Sequence, residues 1–144
     1  MPRVHECDER GSATIEAVAG AAAFAAFCGV VAFGGQIALA REGVQAAATE
    51  AARAASISRT VGGAQAAALA AANQGLDNHR VYCSATDVTI DVSGFNVPVG
   101  QPAWVSATVR CEVSSQDLGV PVNLGTVPVE VTMRSALDTY RARS

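Results

Sequence analysis

From Ala17 to Ala40 the chain carries no charged residue. Wound as a helix at 1.5 Å per residue, these roughly 24 residues extend about 36 Å, enough to cross a hydrocarbon layer about 30 Å thick. That segment takes so much of a 144-residue chain that only a modest folded part remains, too small for a large enzyme. Phe24, Phe27 and Val31 fall on one helical stripe. Ala19, Gly20, Ala23, Gly29, Gly34 and Gly35 offer small surfaces for close helix contact, and Gln36 is the only strongly polar side chain, near the far end. Such a helix suits packing against copies of itself or related subunits. An ordinary signal anchor rich in alanine has the same composition.

The residues just ahead of the run sharpen this. A polar leader with nearly balanced charge ends at Gly11, a small residue follows at Ser12, and one carboxylate, Glu16, stands at the mouth of the apolar segment. An ionised carboxylate there is costly without a partner and is by default a functional residue. If the chain were cut before Ser12, the new α-amino group would carry a positive charge near neutral pH and offer Glu16 of a neighbouring chain a salt bridge. Two plainer roles compete: Glu16 marks the bilayer edge, or it favours the positive end of the helix dipole. Ser12 and Glu16 are four apart, which does not fit a capping box.

The stretch Arg10-Gly11-Ser12-Ala13-Thr14-Ile15-Glu16 resembles the processing site of type IV prepilins, and its spelling is most similar to the TadE-like minor pilins, or pseudopilins, of tight-adherence (Flp-type) pilus systems. The resemblance implies cleavage by a prepilin peptidase between Gly11 and Ser12, methylation of the new terminus, and an assembly role for Glu16. Its implied partners are that peptidase, other pilus subunits, the inner-membrane assembly platform and membrane lipid. The ending Leu137-Asp138-Thr139-Tyr140-Arg141 is also similar to tails in that group. A rival cleavage site, Ala38-Leu39-Ala40 before Arg41, satisfies the small-x-small rule of ordinary signal peptidase. Against it stand an amino-terminal region without net positive charge and an apolar core longer than a secretory signal's.

Beyond Ala40 the helical period continues from Arg41 to Ser58. Val44, Ala47, Ala48, Ala51 and Ala55 share a face, with Glu42, Glu50 and Arg53 opposite and Glu50 spaced to pair with Arg53. Thr60-Val61-Gly62-Gly63 reads as a hinge, and Ala64 to Gln74 as a short second helix stopped by Gly75. After Asp77-Asn78 the period becomes two, giving strands around Val88–Val92, Val105–Val113 and Val127–Met133. Linkers rich in glycine and proline favour an antiparallel meander, and Pro128 marks the last strand as an edge. Val81 and Cys83 have the opposite parity to Val88 and Ile90, which requires a bulge or bend near Thr86 if all share one strand.

Of the four cysteines, Cys7 lies in the leader and Cys28 in the apolar run, while Cys83 and Cys111 lie in the strand-rich half. In an oxidising compartment the last two can bridge, closing a loop of about 29 residues and stabilising the fold by roughly 3 to 4 kcal/mol. Two buried free thiols are the alternative. Net charge is -3, and all ten basic residues are arginine. That leaves no basic patch for nucleic acid and no lysine for Schiff-base chemistry. His79 is the one histidine beyond the leader, so no catalytic pair forms around it. The run His5-Glu6-Cys7-Asp8 lacks the second cluster a metal site needs. Asp87 and Asp91 share a strand face toward solvent, and Trp104 is placed to cap the outer face of the sheet, with ligand binding as its alternative role.

These features add up to an α+β chain: a leader over 1–11, a transmembrane helix over 12–40, a helical region over 41–75 and a small β-rich head over 76–144. The expectation is a single-pass, non-enzymatic subunit without cofactor. Its N-terminus is cytoplasmic and its head extracytoplasmic, or extracellular in a pilus. The rivals are a membrane-anchored binding or adhesion module and a soluble protein released after Ala40.

Overall fold

The structure, a computed structural model, describes residues 10–116, 125–140 and 142, with backbone alone for 10–13. The leader up to Glu9, the linker glycine and proline at 119 and 121, and Arg141 lie outside the described residues. The elements follow in the order α1 (Arg10–Ile57), α2 (Val61–Asn78), β1 (Ala85–Asp91), a 3-10 turn (Ser93–Asn96), β2 (Trp104–Ser114) and β3 (Thr126–Ala136). The fold is α+β, as the change of hydrophobic period from helical to two dictates. The chain divides into two compact units between Gly35 and Gln36.

In the first unit α1 stands alone. Every described side chain from Thr14 to Ala32 is exposed, and a methyl added at Gly20, Gly29 or Gly34 would meet nothing. No proline interrupts the helix, and alanine costs the least side-chain entropy in helical form, so the winding persists without tertiary support.

In the second unit the alanine stripe becomes a contact. Val44, Ala47, Ala48, Ala51, Ala52 and Ala55 are all buried on one face of α1, and Ala64, Ala68, Ala72, Gly75 and Leu76 form the matching face of α2. Between the helices lies a short corner. The Ser58 hydroxyl donates to the Ala54 carbonyl at 3.1 Å and ends α1, and Thr60 caps α2 by accepting from the Gly63 N–H at 3.1 Å. Gly62 and Gly63 therefore belong to the first turn of α2 rather than to a hinge. Nor does Gly75 stop the helix. A Cβ there would lie 2.7 Å from the Ala47 Cα and 2.9 Å from a Glu50 carboxylate oxygen, so Gly75 lets the two backbones approach. Glu50 lies over this contact and makes no ion pair with Arg53, correcting the surface pair expected from their spacing.

α2 ends in a Schellman closure: the Arg80 N–H donates to the Asp77 carbonyl and the Val81 N–H to the Leu76 carbonyl, each at 3.0 Å. The residue that must turn left-handed is Arg80, at φ 53°, where glycine would avoid a cost on the order of 1 kcal/mol. Gly43 of α1 receives the following residues; a Cβ there would strike the Val81 side chain and come within 3.1 Å of the His79 Cβ. Val81 and Cys83 thus precede the strand. Their parity is resolved by an irregular stretch ending in a bend at Ser84, and no bulge at Thr86 is needed.

The three strands form an antiparallel meander in the order β1-β2-β3. Its inner face is built on Val105, Ala107, Val109, Cys111 and Val113, all buried, flanked by Val88 and Ile90 of β1 and by Val129, Val131 and Met133 of β3. Pro128 sits on the edge strand β3, as its missing N–H requires. The outer face is polar. Thr108 and Thr132 share a hydrogen bond of 2.8 Å, and Arg110 approaches Glu130 at 3.9 Å. The sheet lies along α1: the Ser135 hydroxyl donates to the Ser56 hydroxyl at 2.9 Å, while Val113, at the other end of β2, shares a pocket with Leu39 and Ala40. The tail then returns to the loop before β2, with the Leu137 N–H on the Ala103 carbonyl at 2.9 Å and the Gly100 N–H on the Thr139 carbonyl at 2.8 Å.

Two glycines test this account. Gly75→Val is expected to destabilise the fold by about 2 kcal/mol, because overpacking a close backbone contact forces the helices apart. Gly62→Ala meets open space and is expected to be neutral or stabilising by up to about 1 kcal/mol. Chemical denaturation of the full chain, comparing midpoints at unchanged slope, separates the two.

Candidate functional site

Gly11 and Ser12 lie in the first turn of α1, which the structure begins at Arg10. The bond between them is therefore helical, whereas the expected peptidase reaction needs extended backbone. The conflict is small. The first four N–H groups of a helix have no internal acceptor, so unwinding one terminal turn breaks few hydrogen bonds. Glu16 follows Ser12 by four residues on the same continuous helix, and its side chain is exposed, free of any ion pair among the described residues.

From Ile15 to Ala40, Glu16 and Gln36 apart, the exposed surface of α1 is apolar. Ile15, Val18, Phe24, Phe27, Val30, Val31 and Leu39 are all more than half exposed. Cys28 is a free, exposed thiol in the same stretch. One helix among the described residues is long and apolar enough to cross a membrane, and this is it. Uncovered large side chains in such number call for lipid or protein around them.

Cys83 and Cys111 are joined by a disulfide across a Cα separation of 5.3 Å. Cys111 sits at the buried centre of β2, and Cys83 lies in the irregular segment that leads from α2 into β1. The bridge thus fastens the segment between α2 and β1 to the central strand of the sheet. It is supported by a neighbouring pair of bonds in which both the backbone N–H and the hydroxyl of Ser84 donate to the Glu112 carbonyl, at 2.8 and 2.9 Å.

The remaining singled-out residues are not gathered into a site. Asp87 and Asp91 are exposed on the outer face of β1. The Asp91 carboxylate accepts the Ser93 N–H at 2.9 Å and starts the 3-10 turn; that bond holds its pKa below the usual carboxylate value, with a smaller contribution from Arg134. Trp104 opens β2 and is 56% exposed on the outer face. His79 caps α2 through its backbone N–H. Among the described residues no three His, Cys, Asp or Glu side chains come together as a metal site; the His5-Glu6-Cys7-Asp8 run lies outside them. What sequence reasoning missed is the pair Gly43 and Arg80, which fixes the α2–β1 turn against α1. The signal was available only as a glycine in an otherwise unbroken helix.

No protein-family model, no curated protein and no solved structure matches the chain.

Because the helices meet through alanine and glycine, which bury little area, the covalent bridge is expected to carry a large share of the stability. Cys111→Ser is expected to lower the unfolding free energy by about 3 kcal/mol, as for a loop of this length, with reduction of the native chain giving a similar loss. Non-reducing peptide mapping of protein isolated from its native source with thiols blocked is expected to recover the Cys83–Cys111 cross-linked pair; two free thiols there would contradict it.

Proposed function

We propose that this chain is a single-pass, prepilin-like subunit of the TadE-like minor pilin kind, which a prepilin peptidase processes at Gly11-Ser12 and which takes part in assembling, priming or anchoring a tight-adherence pilus. The observation that carries the reading is one continuous helix with two differently equipped halves. The first half, with Glu16 at its start, exposes apolar side chains throughout, and the second half carries a disulfide-linked sheet and a second helix. A filament subunit needs both. The uncovered half first lies in the membrane and then packs against other subunits, while the covered half holds the head outside.

Glu16 has a defined task in this reading. Cleavage before Ser12 creates an amine on the same helical face one turn away. In a stack of subunits, that amine pairs with Glu16 of a neighbour and removes the penalty of a lone carboxylate in an apolar surround. The exposed position of Glu16 leaves it accessible for such a partner. A membrane-anchored binding module uses the same helix but has no use for the carboxylate.

The two uses of the helix separate by experiment. N-terminal sequencing of the envelope form is expected to begin at Ser12. A chain beginning at Arg41 would mean secretion after Ala40, and one beginning at Met1 an uncut anchor. Glu16→Gln is expected to be processed normally, since cleavage depends on the small residues around the bond, yet to lose co-purification with pilus subunits by at least tenfold. Normal assembly of that variant removes the salt bridge and favours the anchored module.

A further inference from the structure

The turn from α2 into β1 has a construction that the pilus reading does not use. Arg80 occupies the left-handed position of the Schellman closure, the position where glycine is cheapest. A side chain kept there against backbone preference points to use of the side chain itself. Gly43 seats this turn against α1 by admitting Val81 and His79 where a side chain would exclude them. Arg80 and Tyr82 are thereby held beside the last turn of the uncharged run, where they border a pocket of about 210 Å³ together with Gln36, Leu39, Ala40 and His79.

Chemistry and level agree at this place. Tyr82 is 68% exposed and Leu39 61%, so an aromatic ring with a polar tip and an aliphatic side chain share one rim. Arg80 pairs with no carboxylate among the described residues, and its acidic neighbour in sequence, Asp77, is exposed. Tyrosine and arginine are the residues that membrane proteins place where acyl chains give way to headgroups, and guanidinium binds phosphate oxygens through paired N–H donors.

We propose that Arg80 and Tyr82 form a headgroup site for anionic phospholipid, which fixes the depth of the head at the bilayer surface. The proposal rests on α1 spanning the membrane. An inorganic phosphate would meet the same guanidinium chemistry, but the apolar side chains of Leu39 and Ala40 on the same pocket fit a phosphate that carries acyl chains.

The test uses the full chain in mixed phosphatidylcholine and phosphatidylglycerol vesicles and compares it with Arg80→Gly. Glycine removes the cation and relieves the backbone cost, so the variant folds at least as well, with an unchanged or raised thermal midpoint. Native mass spectrometry after mild detergent release is expected to show the ratio of retained phosphatidylglycerol to phosphatidylcholine falling about fivefold in the variant. In a Trp104→Phe background, Tyr82→Trp is expected to be quenched by lipids brominated on the acyl carbons next to the headgroup. An equal phosphatidylglycerol excess in Arg80→Gly, or an unquenched Trp at 82, overturns the headgroup site while the membrane span stands, provided the chain floats with the vesicles. A native chain that does not float overturns both. Loss of the lipid excess on adding inorganic phosphate at constant ionic strength assigns the site to free phosphate and overturns the lipid assignment.

Discussion

Closeness of approach, rather than bulk, holds the helical part of this head together. Alanine buries little area, and a face made of Ala47, Ala48, Ala51, Ala52 and Ala55 gains from contact only when the opposing backbone comes near. Gly75 permits that approach on α2, and Gly43 permits it at the turn that follows. The remaining elements inherit their places from it. The turn seated at Gly43 sets where β1 begins, β1 sets β2 through seven paired positions, and β2 sets β3 through eleven. The larger apolar groups, Val105, Val109 and Phe95 among them, then fill what the thin helical layer leaves.

A layer so poor in large side chains is hard to stabilise through hydrophobic burial alone, which gives the disulfide its place. It joins the segment with the least regular hydrogen bonding to the strand with the most. β2 is bonded along both edges and buried on one face, so fastening Cys83 to Cys111 ties the α2–β1 crossing to the central strand of the sheet. Oxidation and folding are therefore coupled, and the compartment in which the head resides enters its stability directly.

The strands were legible in the sequence because alternation on a half-buried sheet is a local property. Val105 through Val113 point inward at every second position, and the structure places all five inside. The long helix was legible for a similar reason, since nothing in Ala17–Ala40 offers an alternative. The misread residues are those whose meaning depends on a partner far along the chain. Gly75 carries the signature of a helix stop, and only the presence of Ala47 across from it makes it a contact. Gly62 and Gly63 look like a hinge until Thr60 is recognised as a cap that accepts from Gly63. Arg80 gave no signal, because the left-handed turn that it occupies is normally announced by glycine. Of the candidate site, Cys83 with Cys111 was legible as a pair, while the reading of Gly11, Ser12 and Glu16 rests on the sequence motif alone. The tyrosine and arginine beside Ala40 were not, because they arrive there through tertiary folding.

The alignment of the sheet with α1 limits how the head can change length. Between Ala40 and Ser56 the helix advances about 24 Å, and between Val105 and Val113 the strand advances about 26 Å, with the two ends matched at the Leu39–Val113 pocket and at the Ser56–Ser135 bond. A strand keeps its inner face only if it gains residues in twos, each pair adding about 6.6 Å. The helix keeps its face when it gains about four, adding about 6 Å. Viable insertions into this architecture therefore come as a set, two residues in each strand for every four in the helix, so the head can grow only by whole steps of that size.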